Sequence, residues 1–484
     1  MSFATAPFFV FFVIVLLLLA LTNTKLLAGM GVKALRRTRH LILLVMSYVF
    51  YGWWDWRFCF LMLFMSAVSY VAALGISRGK HVRFLKYAGI VCPLVILGFF
   101  KYFNFFVDTF TAAFGIAHVG MLNILLPMGI SFYTFHALSY TIDVMRGKVK
   151  PTESFVDMAL YIAFFPQLVA GPIVKASFFL PQLSEDRTVS VSNIAIGIQI
   201  FLFGLFKKIV LADYLSVFVD NIFSVPKAYG AFTVILAIIS YSMQIYFDFS
   251  GYSDMAVGCA KCLGYDLPRN FNLPYLSQNV SEFWKRWHIS LSSWLKEYLY
   301  ISLGGNRKGK IRTYFNLLAT MVLGGLWHGA NWTFVFWGFL HGSALCVHKL
   351  FLSLKKKKSA QHAYGKVISV IVTYVFVCIA WVFFRAGSFE NALTVFSRLL
   401  VWNTGITQIY TWTIISAAIL ICATVIAIVR KRKKGIDTGI GIAEGFYPIF
   451  DLNRFWPLVI FLFFVGLTFG LAYTGISPFI YFQF

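Results

Sequence analysis

The chain has 484 residues, of which 60% are hydrophobic, 19% aromatic and 12% charged, and its mean hydropathy is +0.77. That balance lies outside the range of soluble domains and predicts an all-α polytopic membrane protein whose first partner is the lipid bilayer. The net charge of +24, from 42 Lys and Arg against 18 Asp and Glu, does not point to nucleic acid, because the cations fall in short clusters between apolar runs as the positive-inside rule requires.

A spanning helix needs roughly 20 apolar residues, and by that measure about 11–13 membrane segments are expected. The first run, APFFVFFVIVLLLLALTN, has no basic segment before it and is followed by Lys33, Arg36, Arg37 and Arg39. It predicts a retained first span with the N-terminus outside. The clusters from Arg78 to Lys86, RGKVK at 146–150, Lys355 to Lys358 and RKRKK at 430–434 then mark the cytoplasmic side, and the loop from Asp108 to Gly120, without Lys or Arg, lies outside. Two later runs are broken, LPMGISFYTFHALSYTIDV by Pro127 and Gly129, and FFPQLVAGPIV by Pro166 and Pro172. Backbone groups freed at such breaks must be satisfied away from lipid, so these segments are expected to pack centrally or to line a cavity. Seven cysteines include one close pair, Cys259 and Cys262, with no second pair or nearby His to complete a zinc site. They read as small buried hydrophobes, and no metal is expected.

The region from 244 to 305 differs in kind. QIYFDFSGYSDMAVG places Asp248, Ser250, Tyr252, Ser253 and Asp254 in or beside an apolar segment, with Gly251 as a potential break. The stretch from 275 to 305 is aromatic, basic and amphipathic, which predicts an interfacial rather than a spanning segment. If it is helical, Ser281, Lys285, His288 and Ser292 share a face, Asn279 with Glu282 forms a start signal, and Trp284 stacks one turn before His288.

His288 sits in SEFWKRWHISLSSWL and His328 in GGLWHGANW. Ionisable groups in or beside hydrocarbon are costly unless paired or solvated, which makes both functional candidates. Gly324, Gly325 and Gly329 would let backbone or substrate approach His328 closely. An imidazole near neutrality and within hydrogen-bond reach of a hydroxyl can take its proton. The competing readings are a surface helix with His288 facing headgroups, and a structural hydrogen-bonding role for His328, as for His341 and His136. No Walker-type glycine loop is present. Lys285 and Arg286, with Arg307, Lys308 and Lys310, could instead hold phosphates electrostatically.

The strings IYFDFSGYSDMAVG, FWKRWHISLSSWLKEYLYISLGGNRKG, GGLWHGANWTFVFWGFLHG, LLPMGISFYTFHALSYTIDVMRG, FFPQLVAGPIV and the C-terminal FIYFQF closely resemble the membrane-bound O-acyltransferase family, in particular its bacterial alginate O-acetylation branch. The likeness covers most of the chain. It implies a many-helix fold whose re-entrant core forms a central tunnel. The whole of 1–484 would be a single acyltransferase domain, with peripheral N-terminal helices in 1–120, a catalytic core in about 121–350 and C-terminal helices in 366–484.

By the same resemblance the key histidine falls on His328 and its partner on His288. Asp248, Tyr252, Trp287, Lys285, Arg286, Trp327 and Asn331 are candidates for substrate or donor binding, and structural roles suit Asp248, Tyr252, Trp287, Trp327 and Asn331 at least as well. The implied activity takes an acetyl group from a cytoplasmic thioester, acetyl-CoA, with no tightly bound cofactor. It makes that group available to an extracytoplasmic polysaccharide across the bacterial cytoplasmic (inner) membrane, through a separate exported SGNH-type partner. Within the family the alternative is D-alanyl transfer to teichoic acid from a carrier-protein thioester, against which stand the GANWT string and the FIYFQF tail. A small-solute transporter or channel is the alternative from another class, but transport gives no reason for two Trp-flanked histidines.

Overall fold

The computed structural model describes residues 1–484 except 25–28, 30, 117–121, 170, 355–362, 435–449, 476–478 and 481–484. The Lys355 to Lys358 cluster, the side chains of the 430–434 cluster, the end of the loop at 108–120 and the last four residues of FIYFQF therefore lie outside the described residues. Among the described residues the ordered elements are helices, and an isolated parallel bridge joins Tyr229 to Ile406.

Among the described residues seven helices are long and apolar enough to cross a bilayer: Arg57–Ser77, Val82–Phe114, Val191–Ser224, Ala231–Cys262, Trp332–Leu354, Tyr364–Arg385 and Thr411–Val429. Two shorter apolar helices, Ala6–Leu21 and Phe455–Gly470, have 16 residues each. At 1.5 Å per residue these reach about 24 Å, short of a hydrocarbon core of about 30 Å. The chain is thus an all-α polytopic membrane protein. Fewer helices qualify than the apolar runs suggested: Val32–Asp55 and Lys310–His328 are long enough but less apolar, and proline and glycine divide two further runs into short pieces. Ile130–Met145 has 16 residues and Phe155–Ala163 only 9.

The chain divides into two compact units: Met1–Phe203, Tyr252–Pro268 and Ile440–Phe461 form the first, and Gly204–Gly251, Arg269–Gly439 and Leu462–Phe484 the second. In the first unit the broken runs pack centrally. Gly129 turns at φ +72°, where a Cβ would lie 2.6 Å from the Leu168 carbonyl oxygen, so the break needs glycine on both counts. The Ile130–Met145 helix that follows is buried over most of its length. His136 accepts the Val174 N–H on Nε2 at 3.3 Å, and Tyr161 donates to the Val174 carbonyl at 2.9 Å, which satisfies backbone freed around Pro172.

In the second unit the helices Lys310–His328 and Trp332–Leu354 form a tightly packed hairpin joined by Gly329, Ala330 and Asn331. Its seam is made of glycine. A Cβ on Gly325 would lie 2.2 Å from the Phe334 carbonyl oxygen, one on Gly338 2.3 Å from that of Met321, and one on Gly329 2.3 Å from the Phe334 ring. Backbone packs on backbone there, as small residues allow in membrane helices. The seam fixes His328 at the last turn of its helix. Gly338→Ala is therefore expected to overpack the hairpin and cost about 1–3 kcal/mol. Gly466→Ala, where nothing lies within 4 Å, should leave the thermal-unfolding midpoint unchanged or raised; equal midpoints in the two variants would contradict the seam.

Candidate active site

The stretch holding His288 begins as its sequence indicates. Asn279 Oδ1 accepts the Glu282 N–H at 2.9 Å, and Glu282 Oε2 accepts the Gln278 N–H at 2.9 Å. The helix Val280–Arg286 nevertheless stops after seven residues. Trp287 is extended, His288 takes a left-handed conformation at φ +43° and ψ 56°, and a second short helix, Ile289–Trp294, starts. The shared face expected for Ser281, Lys285, His288 and Ser292 does not form, because a neighbouring segment captures the backbone. The Ile289 N–H donates to the Asn270 carbonyl at 2.9 Å and the Asn272 N–H to the Arg286 carbonyl at 2.8 Å. Trp284 does not stack on His288; its Nε1–H donates to His341 Nδ1 at 3.3 Å. His288 is fully buried and does not face headgroups.

Asn270 also decides which imidazole nitrogen of His288 can act as a base. Its Oδ1 accepts the Ser290 backbone N–H at 3.2 Å and the Ser290 hydroxyl at 2.9 Å, and it lies 3.1 Å from His288 Nδ1. A backbone N–H can only donate, so this atom is the amide oxygen and His288 Nδ1 carries the proton facing it. The neutral ring then presents Nε2 as its acceptor nitrogen. Burial holds the His288 imidazole below its ordinary pKa, which favours that neutral form.

His328 meets His288 inside the second unit, with ring centroids 6.5 Å apart. Aromatic rings enclose the pair. Phe249 stands edge-on to His288 at 4.6 Å; Trp327 lies 5.0 Å from His328 and 6.2 Å from His288; Trp337 and Phe384 approach His328 at 5.1 and 5.3 Å. Such walls exclude water and strengthen each polar contact within them.

The other expected residues divide. Trp327 lies in this enclosure. Trp287 supports it from behind, packed between Phe271, Phe283 and Trp381 at 5.0, 5.6 and 5.0 Å. Asn331 builds the hairpin turn, its Oδ1 accepting the Thr333 N–H at 2.9 Å and its Nδ2 donating to the Gly387 carbonyl at 3.0 Å. Arg286 is held by Glu282 at 2.6 Å, and Lys285 is exposed. Tyr252 belongs to the first unit, where its hydroxyl pairs with Ser2 Oγ at 2.8 Å.

Asp248 has partners that no motif announced. Its Oδ1 lies 2.7 Å from Lys208 Nζ, which also lies 2.8 Å from Asp213 Oδ1, and its Oδ2 accepts the Ile480 N–H at 2.8 Å. All three ionisable side chains are buried. The approach depends on a π-helical turn, Lys207–Ala212, and on Gly251, where a Cβ would lie 2.7 Å from the Gly204 carbonyl oxygen. The same turn gives the Ile209 carbonyl to the Tyr473 N–H at 2.9 Å. A lysine inside the apolar run 193–212, with Asp213 just beyond it, was the available signal. Phe249, next to Asp248, joins the cluster to the enclosure through its contacts with His288 and with Phe479 at 6.0 Å.

Lys208→Met would leave two buried carboxylates without their cation, at an expected cost of about 3–5 kcal/mol; size-exclusion chromatography should show loss of the folded, monodisperse species. A second expectation follows from His288. The unfolded chain binds a proton near pH 6.5 that the folded chain refuses, so stability should fall as pH drops through that range and recover above it. His288→Asn, which tolerates the left-handed turn, should reduce the difference between midpoints at about pH 7.5 and 5.5.

Residues 149–389 match the family model of MBOAT, the membrane-bound O-acyltransferase family. The chain is 41% identical over 383 residues to the probable alginate O-acetylase AlgI of Pseudomonas aeruginosa, covering 76% of this chain and 71% of that one. With the probable alginate O-acetylase AlgI of Pseudomonas putida it shares 37% identity over 474 residues, 93% of this chain and 95% of the relative. With the peptidoglycan O-acetyltransferase of Helicobacter pylori the figures are 38% over 390 residues, 75% and 73%. The chain belongs to the membrane-bound O-acyltransferase family and is an acyltransferase.

Proposed function

We propose that this protein moves an acetyl group from cytoplasmic acetyl-CoA across the bacterial inner membrane for O-acetylation of an extracytoplasmic polysaccharide. The observation that carries the chemistry is the meeting of two buried histidines at 6.5 Å inside a wall of aromatic rings. Relatives named for alginate and for peptidoglycan acetylation support a glycan as the final acceptor. His328 acts as general base on the acceptor hydroxyl, and His288, neutral and fixed by Asn270, positions the reacting groups through its acceptor nitrogen Nε2, its N–H being committed to Asn270 Oδ1. In the reaction the hydroxyl oxygen bonds to the acetyl carbon, the carbon–sulfur bond breaks, and the proton taken by imidazole passes to the departing thiolate. The aromatic enclosure limits hydrolysis of the thioester.

The basic clusters face the cytoplasm, which sets the N-terminus outside and gives the donor side its positive charge. Exposed Lys285, Arg307, Lys308 and Lys310 attract the phosphates of the donor, and the acetyl group follows the tunnel through the re-entrant core that the family resemblance implies. A separate exported SGNH-type protein completes the transfer to the glycan.

The test is acetyl transfer from radiolabelled acetyl-CoA by the purified protein in lipid, with that partner or a glycan added. His328→Ala and His288→Ala should each lower transfer by at least about 100-fold, the scale of a lost general base, while eluting as folded protein. Activity of the wild type with a D-alanyl carrier thioester and not with acetyl-CoA would replace the donor; inactivity with every thioester would remove the transferase reading of the pair.

A further inference from the structure

Two basic clusters that lie far apart in the sequence converge in the first unit. Lys33, Arg36, Arg37 and His40 follow three- and four-residue spacing on the Val32–Asp55 helix and so share a face. They line a cavity of about 630 Å³. Lys148 and Lys150 line another of about 400 Å³, and Asp157 and Ser184 belong to the walls of both. Five cations, Lys33, Arg36, Arg37, Lys148 and Lys150, thus stand around one groove with two carboxylates, Glu153 and Asp157. One of those carboxylates is occupied, since Asp157 Oδ1 lies 2.7 Å from His40 Nδ1. The Ser184 carbonyl accepts from the Arg36 guanidinium and fixes it at the groove wall. Arg39, on another face of the helix, is consumed by Thr22, Asn23 and Asp186. The groove is therefore a net-positive surface site, with Arg36 partly buried in its wall and Lys33, Arg37, Lys148 and Lys150 exposed around it.

The same helix locates the groove with respect to lipid. From Lys33 and Arg37 a row of four-residue steps continues through Leu41, Val45, Val49 and Trp53, which are 42, 58, 46 and 62% exposed. Aliphatic side chains exposed along the middle of such a row face hydrocarbon, and Trp53 marks one interface. The helix has 24 residues, or about 36 Å of rise, enough to carry its cationic end to the level of lipid phosphates at the opposite bilayer surface when Trp53 lies at one interface.

We propose that this groove is a binding site for a phosphate-bearing anion at the membrane surface, supplied by the headgroup of an anionic phospholipid or by soluble phosphate. Arg36 and Arg37 offer forked donors that match phosphate oxygens, and the lysines add point charge. The site uses none of the residues assigned to acyl transfer.

The test uses the full-length protein in detergent micelles, with thermal midpoints measured after adding dioleoylphosphatidylglycerol, dioleoylphosphatidylcholine or inorganic phosphate, and with retained lipid counted by native mass spectrometry. Phosphatidylglycerol should raise the midpoint and be retained, phosphatidylcholine should do neither, and Lys33→Gln/Arg37→Gln should weaken phosphatidylglycerol binding by about tenfold or more. Lys366→Gln, an exposed cation elsewhere, should change nothing. A midpoint raised by inorganic phosphate alone and lost in the same double variant identifies the soluble anion as the source. Should that variant not fold, Lys148→Gln/Lys150→Gln makes the same test from the other wall. Equal stabilisation by the two lipids with no response to phosphate, or a phosphatidylglycerol effect undiminished in the folded variants, overturns the site.

Discussion

One amide oxygen organises the centre of the second unit. Asn270 Oδ1 collects the Ser290 N–H, the Ser290 hydroxyl and the proton on His288 Nδ1, while the Asn270 carbonyl takes the Ile289 N–H. These bonds break a helix at His288, turn the imidazole inward and fix its tautomer. A surface helix would have left the ring in the headgroup layer, where water sets its protonation. Removing the ring from water makes one protonation state dominant and spares it reorganisation when charge moves nearby.

His328 is positioned by a different kind of force. Its helix ends against a partner helix along a glycine seam in which added methyl groups would sit 2.2 to 2.3 Å from backbone or ring atoms. Close backbone packing of this sort is stiff because no side chain can change rotamer to relieve it. One histidine is thus placed by hydrogen bonds and the other by contact between backbones, and the aromatic residues between them close the space. The buried cluster of Lys208, Asp213 and Asp248 adds a third support, since Phe249 links it to the face of His288.

How much of this was legible in the sequence depended on whether the deciding interaction was local. The membrane class followed from composition, and the cap at Asn279 from a three-residue rule that the structure keeps. Gly324, Gly325 and Gly329 beside His328 signalled close approach, although not that the helix immediately following meets Gly325 and Gly329 while Leu295 meets Gly324. The break at His288 was illegible because its cause, Asn270, lies eighteen residues earlier and has no helical signature. Asp248 could be singled out as a carboxylate in an apolar segment, but Lys208 could not be named as its partner, because that pairing needs the π-helical turn at Lys207–Ala212. The hydrophobic runs gave the polytopic class but not the division of each run into helices, since periodicity cannot separate a buried half-length helix from a lipid-facing one.

The left-handed His288 has a further consequence for motion. The helix before it has only seven residues, too short to persist on its own hydrogen bonds, and the six-residue helix after it leads directly into the π-helical stretch Leu295–Tyr300. Their order is borrowed from the segment at Asn270 to Asn272, to which they are tied by two backbone bonds and the Asn270 amide. Amides around 270–272 and 286–290 should therefore behave as one cooperative unit in hydrogen exchange, opening together at a lower free energy than the long helices around them. Such an opening would expose the enclosure while the long helices stay folded.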